Sequence, residues 1–217
     1  MPDTPSILVG RQTIQVMSRS DGEHRMRTFA TLLEKHIRPR KRTLADLGAG
    51  HCKFGMLAAR LGYDVTAVDG RTERVPADLG AVRFIHSDIR QFDPSGFGVV
   101  AILGLLYHLE ISDQERLLDR CADGAAVIVE TQVHVPEMVP VDSPRPWHAV
   151  VEREGYDGVE FPENDNPMAA IGNTKSFWHT EDSLIRLFAR SGFRHVQLID
   201  PLFSSAYGAR RFYLLAT

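Results

Sequence analysis

The sequence of 217 residues has few cysteines and lacks long apolar runs. Two cysteines, Cys52 and Cys121, are too few for a disulfide framework, which favours an intracellular protein. No apolar stretch approaches the roughly 20 residues of a membrane span. The opening residues, MPDTPSILVGRQ, also lack the basic and then apolar layout of a signal peptide. We therefore expect a cytoplasmic protein with no membrane contact.

An excess of positive charge is also missing. The formal net charge is −3, so the chain has no general basic field that would attract nucleic acid. A short basic run at residues 38–42 is more typical of a solvated helix end than of a nucleic-acid-binding surface. The composition therefore argues against a nucleic-acid partner and indicates an ordinary globular protein.

Apolar strands alternate with amphipathic helices along most of the chain. Strands are predicted at about residues 43–47, 64–69, 82–87, 99–105, 125–133, 193–199 and 211–216. Helical spacing predicts helices at about residues 23–37, 54–61, 112–121 and 180–192. This alternation predicts an α/β fold with a mostly parallel sheet and helices on both faces. A tight return at Tyr207-Gly208-Ala209 indicates antiparallel pairing of the last two strands.

Two segments fall outside this alternation. Residues 1–22 are poorly periodic, and we expect them to form an N-terminal arm or lid. Residues 134–177 form a long insert after the fifth strand, rich in proline and without a regular period. Because a loop of this length inside a compact domain is usually functional, we expect the insert to bind a substrate. The whole chain, 1–217, is then interpreted as one domain.

The turn after the first strand, within TLADLGAGHCKFG, contains two glycines. Gly48 and Gly50 allow a tight bend and let a ligand approach the backbone N–H groups that open the next helix. Ligands of parallel sheets bind beyond the carboxyl ends of the strands. Residues at the first four strand ends are therefore candidate binding residues: Asp46, Gly48, Ala49 and Gly50; Asp69, Gly70 and Arg71; Asp88 and Ile89; Gly104 and Leu105.

Two of these carboxylates have the chemistry that a nucleoside requires. Asp69 follows the glycine turn by about twenty residues and can accept both hydrogen bonds of a ribose diol. Asp88 can accept a hydrogen bond from the exocyclic amine of adenine while Ile89 packs on the ring. These features predict a nucleotide-type ligand.

The stretches LADLGAGHCKFG, VTAVDG, SDIRQF, ILGLLYHL, GFRHV and RRFYLLAT follow one another in the order found in one family. Over these stretches the chain resembles class I S-adenosylmethionine-dependent methyltransferases. The resemblance implies a Rossmann-like, seven-stranded, mostly parallel sheet with an antiparallel last strand, and S-adenosylmethionine as cofactor. It also implies these contacts: Gly48 and Gly50 with the methionine moiety, Asp69 with the ribose, Asp88 and Ile89 with the adenine, and Gly104 and Leu105 at the methyl-donor end.

A dinucleotide is the rival cofactor. Its G-x-G-x-x-G fingerprint requires glycine at position 53, where this chain has Lys53. The family's turn often carries a third glycine where this chain has Cys52, so we expect a less tight turn. The Asp88-Ile89 pair and the final strand favour the methyl donor over the dinucleotide.

Transfer of a methyl group to a hydroxyl often uses a base, and histidine suits that role near neutral pH. His108 and Tyr107 follow the fourth strand and are expected to face the methyl group. His134 ends the fifth strand on the same face as Glu130, where acceptor hydroxyls or a divalent ion such as Mg²⁺ could bind. His148 in the insert is a further candidate base.

The insert and its exit place tryptophan beside histidine, at Trp147-His148 and at Trp178-His179. Aromatic rings beside polar groups suit the apolar face and hydroxyl rim of a sugar, although the tryptophans could instead anchor the insert on the core. The insert also resembles those of actinobacterial enzymes that methylate polysaccharide sugars of the methylmannose type. Its acidic residues are expected on a solvated loop surface: Glu160, Glu163 and Asp165.

Three functions remain open at this point. We favour O-methylation of a small or oligomeric polar acceptor, above all a sugar. An RNA-modifying methyltransferase is the second hypothesis, because LLYHL also occurs in relatives that alkylate tRNA uridine. A non-catalytic module that binds the methyl donor is the third. The oligomeric state cannot be read from the sequence, and a homodimer is one option.

Overall fold

The computed structural model describes residues 7–139, 149–163, 166 and 169–217. Within them, eleven strands and four α-helices follow one another along the chain. Their bounds are β1 Leu8–Thr13, α1 Asp21–Thr31, β2 Thr43–Leu47, α2 Lys53–Arg60, β3 Asp64–Asp69, β4 Val82–His86, β5 Val99–Leu103, α3 Ile111–Cys121, β6 Ala126–Val133, β7 Val151–Arg153, β8 Tyr156–Pro162, β9 Lys175–His179, α4 Glu181–Arg190, β10 His195–Ser205 and β11 Gly208–Ala216.

The main sheet has the strand order β1-β10-β11-β6-β5-β2-β3-β4. Its last strand, β11, is antiparallel to both neighbours, and the other neighbouring strands are parallel. Helices α1 and α2 pack on one face of the sheet, and α3 and α4 pack on the other. Each pair of helices covers one apolar cluster. Strand β5 is therefore buried along its whole length. The predicted Rossmann-like α/β architecture is confirmed.

The sheet has eight strands rather than the seven predicted. Strand β1 pairs in parallel with β10, from Leu8 opposite His195 to Thr13 opposite Asp200. Most of its side chains are exposed, so it lacks the alternating apolar pattern by which a half-buried strand is recognised. This part of the chain, expected to belong to an arm or lid, is an edge strand.

The insert was predicted as a loop, but much of it is a second sheet. Strands β7, β8 and β9 pair antiparallel in a separate three-stranded sheet. Both faces of this sheet bury aromatic side chains, Tyr156 on one face and Phe161 with Trp178 on the other. The Tyr156 hydroxyl donates a hydrogen bond to Glu115 on α3, at 2.7 Å. These contacts attach the insert to the main domain beside the carboxyl end of β5.

Gly158 provides a test of this attachment. A Cβ at this position would overlap the carbonyl oxygen of Trp178 and lie 2.6 Å from the Phe177 ring. Gly158→Ala must therefore push β8 away from β9, and we expect it to lower the free energy of unfolding by about 2 kcal/mol. Urea denaturation measures this change.

Gly22→Ala is the matched control, because a Cβ at Gly22 in α1 meets nothing within 4 Å. We expect it to be neutral or to stabilise the protein by up to about 1 kcal/mol. Equal effects of the two substitutions would contradict the close packing of β8 on β9.

Candidate active site

A cavity of about 440 Å³ lies beyond the carboxyl ends of β2, β3, β4 and β5. This is the switch point of the sheet, because the chain continues from β2 towards β3 on one side and reaches β5 on the other. The structure brings all eleven strand-end residues to the cavity wall: Asp46, Gly48, Ala49, Gly50, Asp69, Gly70, Arg71, Asp88, Ile89, Gly104 and Leu105.

The carboxylate of Asp69 fixes the glycine turn after β2 at the edge of the cavity. Its two carboxylate oxygens accept hydrogen bonds from the backbone N–H groups of Gly50 and Arg71, both at 2.8 Å. Gly48 has a φ of +71°, and a Cβ there would lie 2.9 Å from the Leu105 side chain. Because each carboxylate oxygen accepts about two hydrogen bonds, Asp69 keeps acceptor capacity for a ligand.

Cys52 occupies the position where the family often has a third glycine. It adopts a φ of +54°, which glycine tolerates more easily than other residues. The turn nevertheless closes with a 2.8 Å hydrogen bond from the Cys52 N–H to the Ala49 carbonyl. Burial raises the pKa of the thiol to about 11, so Cys52 is a neutral packing residue at physiological pH.

Part of the insert covers the end of the cavity near Asp88. We call residues 169–173 the strap. Arg71 donates a 2.6 Å hydrogen bond to the Ala169 carbonyl, and Arg90 donates one of 2.5 Å to the Ile171 carbonyl. Arg90 also binds Asp88 at 2.7 Å, and this contact holds the pKa of the Asp88 carboxyl below its usual value. The insert therefore lines the predicted adenine end of the cavity.

A histidine–carboxylate pair lies at the wall of the cavity, with the histidine among the lining residues. His108 ends a short 3₁₀ turn after β5, and its Nδ1 lies 3.2 Å from Glu163 Oε1. Glu163 also accepts hydrogen bonds from Ser176 at 2.7 Å and Asn166 at 2.5 Å. Burial alone would raise the pKa of Glu163, but the hydrogen bonds from His108, Ser176 and Asn166 outweigh it and lower the pKa to about 2. Glu163 is therefore an ionised, buried partner of His108.

Glu130 forms a second polar cluster behind the cavity wall. Its carboxylate is fully buried and accepts hydrogen bonds from Arg25 at 2.6 Å and from Arg210 at 3.1 Å. Arg210 also donates a 2.5 Å hydrogen bond to the Tyr107 hydroxyl. Arg25, Arg210 and Tyr107 line the cavity, whereas Glu130 lies behind them. Glu130, predicted to contact the acceptor, therefore does not line the cavity, and its carboxylate instead pairs with the two arginines that do.

No protein-family model matches the sequence, and no curated protein matches it. Solved structures do match its fold. The N-terminal domain of EvdMO1 with S-adenosylhomocysteine bound has a TM-score of 0.62 and 19% identity, over 93% of this chain and 82% of that one. The same domain was also crystallised in the presence of S-adenosylhomocysteine and D-fucose.

Two further solved structures have a similar fold. A putative O-methyltransferase from Nostoc punctiforme has a TM-score of 0.61 and 15% identity, over 89% of this chain and 56% of that one. The 1,6-didemethyltoxoflavin-N1-methyltransferase of Burkholderia thailandensis, with 1,6-didemethyltoxoflavin and S-adenosylhomocysteine bound, has a TM-score of 0.55 and 17% identity, over 88% of this chain and 76% of that one. The chain therefore shares the Rossmann-like fold of these methyltransferase structures.

Two predicted site histidines lie away from the cavity of this methyltransferase fold. His179 is buried between Ser183 Oγ at 2.9 Å and Gln114 Oε1 at 3.0 Å. Burial lowers its pKa to about 3, so it is a neutral structural residue. His134 is also buried, and its backbone N–H donates a hydrogen bond to the His179 carbonyl. Its predicted role as a catalytic base is therefore not supported by position.

The position of Trp178 is compatible with both roles considered for it, contact with an acceptor and anchoring of the insert on the core. It lines the cavity, and its ring packs on Phe161 at 4.3 Å and edge-on to Tyr107 at 5.4 Å between centroids. The other two insert candidates, Trp147 and His148, lie outside the described residues.

No group of three or more histidine, cysteine, aspartate or glutamate side chains in the described part of the chain is arranged to hold a metal ion. Both oxygens of Glu130, which the sequence placed on a face that could bind Mg²⁺, are paired with arginines. Across the same described residues, no helix is long and apolar enough to span a bilayer.

Sequence reasoning missed Glu163 and Arg210. Glu163 was expected on a solvated surface, yet it is 2% exposed and joins a histidine 55 residues earlier in the chain. Arg210 stands at the start of an apolar strand, where nothing local distinguishes it from a surface arginine. No spacing rule connects either residue to its partner, because both contacts depend on how the insert and β11 pack.

Asp46 is expected to make the folding stability of the protein depend on pH. Its side chain is buried at the cavity floor and accepts a 3.0 Å hydrogen bond from the Gly55 N–H. Burial raises its pKa to about 7, above the value of about 3.9 expected in the unfolded chain. The folded state therefore holds this proton more tightly, and its stabilising effect is lost as the pH rises from about 4 to about 7.

We expect Asp46→Asn to remove this dependence. The difference in free energy of unfolding between the variant and the unsubstituted protein should grow in favour of the variant from about pH 5 to about pH 8. The expected growth is on the order of 2 kcal/mol. Urea denaturation across this range measures the gain. Asp123→Asn, an exposed change, should show no such trend. A flat difference for Asp46→Asn would contradict a protonated Asp46.

Proposed function

We propose that the protein is an S-adenosylmethionine-dependent methyltransferase that methylates a hydroxyl group of a small polar acceptor. The observation that carries the proposal is the His108–Glu163 pair, whose histidine lines the same cavity as the eleven strand-end residues. One cavity therefore combines candidate cofactor residues with a candidate base. When bound, the cofactor would supply the electrophilic methyl group.

The cavity residues fit an adenosyl ligand. Asp69 retains acceptor capacity for a ribose diol after its two backbone hydrogen bonds are made. Asp88 and the neighbouring apolar side chain of Ile89 line the end covered by the strap, as expected for an adenine site. A Cβ at Gly50 would meet nothing within 4 Å, so a ligand can approach the backbone closely there, whereas the space beside Gly48 is filled by Leu105.

His108 is the proposed base. If Nδ1 carries the proton that it shares with Glu163, Nε2 is left as an acceptor for the proton of an acceptor hydroxyl. Glu163 remains ionised at neutral pH, so it orients the imidazole and stabilises its protonated form instead of taking the proton itself. This division of roles is that of a general base with a carboxylate partner.

The acceptor is proposed to be uncharged, polar and small, with a sugar favoured. At this end of the cavity, Arg25 and Arg210 share Glu130, and Glu163 faces His108, so most of the charge is compensated within the protein. Two aromatic side chains, Trp178 and Tyr207, also line the cavity and could pack against the apolar face of a sugar ring. The similarity to a domain crystallised in the presence of D-fucose supports this choice.

Cofactor binding is tested first. We expect the protein to bind S-adenosylhomocysteine in isothermal titration calorimetry and Asp69→Asn to weaken that affinity by roughly 10-fold, because a hydrogen-bond acceptor with negative charge is lost. Asp64→Asn, at the opposite end of the same strand, should leave the affinity unchanged. Binding of NAD but not of S-adenosylhomocysteine would refute the proposed cofactor.

The base is tested by turnover on a panel of glycosides and other hydroxyl compounds. We expect His108→Ala to lower kcat by about 10²–10⁴-fold, the usual contribution of a general base, while binding of S-adenosylhomocysteine stays within about 2-fold. His195→Ala, an exposed change at the start of β10, serves as the control. Unchanged turnover in His108→Ala would show that another group accepts the proton.

A further inference from the structure

A hydrogen-bonded bridge joins His108 to Arg90 through the side chain of Asn173. Its side-chain Nδ2 donates a 2.9 Å hydrogen bond to the backbone carbonyl of His108. Its Oδ1 lies 3.4 Å from Nη1 of Arg90, within hydrogen-bond distance. Arg90 is in turn the partner of Asp88, the proposed adenine-binding carboxylate. One side chain of the strap thus contacts the proposed base and the partner of the cofactor site.

The position of Asn173 also affects Glu163. The segment that follows Asn173 pairs with the end of β8, where the Glu163 N–H donates a 2.8 Å hydrogen bond to the Thr174 carbonyl. Ser176, two residues further along, donates to the Glu163 carboxylate. A shift of Asn173 would therefore move both members of the His108–Glu163 pair.

Arg90 is held firmly enough to act as the anchor of this bridge. Its guanidinium binds Asp88 with contacts of 2.7 and 3.0 Å and lies 3.4 Å from Asp113. It also donates the 2.5 Å hydrogen bond to Ile171 in the strap. These contacts fix the guanidinium between the strand end after β4 and the strap.

We infer that Asn173, anchored by Arg90, is a positioning residue for the His108–Glu163 pair. It makes the alignment of the base depend on docking of the strap against the Asp88 side of the cavity. A base needs its nitrogen placed within a fraction of an ångström, so a bridge that contributes little stability can still affect rate strongly. This inference rests on the proposed function for the role of His108 as a base.

Turnover and its pH profile test the inference. We expect Asn173→Ala to lower kcat by about 5- to 50-fold, with the affinity for S-adenosylhomocysteine within about 2-fold. Glu163→Gln removes the carboxylate partner of His108 and supplies the reference pH profile of kcat, and the profile of Asn173→Ala should move towards it. Arg90→Lys keeps the charge beside Asp88 but cannot span to the strap, so it should lower kcat to a similar extent. A wild-type kcat and pH profile in Asn173→Ala would overturn the inference.

A double-mutant cycle separates a bridge from two independent effects. Arg90→Lys combined with Asn173→Ala should be no slower than the worse single variant, because both remove the same connection. Arg116→Lys is the matched control, since Arg116 also binds Asp113, at 2.7 Å, but its hydrogen bonds do not reach the strap in the described residues. Its effect should simply add to that of Asn173→Ala. Full additivity of Arg90→Lys with Asn173→Ala would contradict the bridge.

Hydrogen exchange without ligand tests the bridge even if the proposed reaction is wrong. In the protein alone, Asn173→Ala should speed exchange of the His108 and Leu109 amides, which close the 3₁₀ turn on Leu105 and Leu106, by at least about 5-fold. Unchanged exchange would overturn the positioning role directly. Faster exchange in a protein that binds no S-adenosylhomocysteine would instead sustain the bridge and reject the proposed function.

Discussion

The geometry of the cavity depends most on the two hydrogen bonds that the Asp69 carboxylate accepts from the backbone. By accepting hydrogen bonds from Gly50 and Arg71, this carboxylate fixes the turn after β2 to the turn after β3. These turns leave neighbouring parallel strands, so the two hydrogen bonds set how the strand-end residues of β2 and β3 face the cavity. The same carboxylate retains acceptor capacity for a ligand, which links the architecture of the turn to the proposed recognition of ribose.

The insert completes the site rather than merely covering it. Its second sheet is anchored through Trp178 and Tyr156, its strap is held by Arg71 and Arg90, and its Glu163 reaches the imidazole of His108. A buried carboxylate is costly unless its hydrogen bonds are satisfied, and three side chains donate to Glu163. The main domain thus supplies the proposed cofactor residues and the proposed base, while the insert supplies the carboxylate that we propose orients this base.

The fold and the cavity wall could be predicted from the sequence because both follow from local pattern. The period of apolar residues revealed β2 to β6, and the rule for parallel sheets placed Asp69 and Asp88 at one edge. Strand β1 was missed because its exposed side chains lack that period, and Glu163 was misjudged because its partner is distant in sequence. The adjacency of Trp178 and His179 suggested a joint role, but strand alternation leaves only the tryptophan at the cavity.

A crystal structure with S-adenosylhomocysteine bound tests the central claim most directly. The account predicts that the ribose hydroxyls contact Asp69, that the adenine lies beside Asp88 and Ile89 under the strap, and that the sulfur faces the end of the cavity occupied by His108. A ligand bound elsewhere, or one whose sulfur faces away from His108, would contradict the proposed site and its chemistry together.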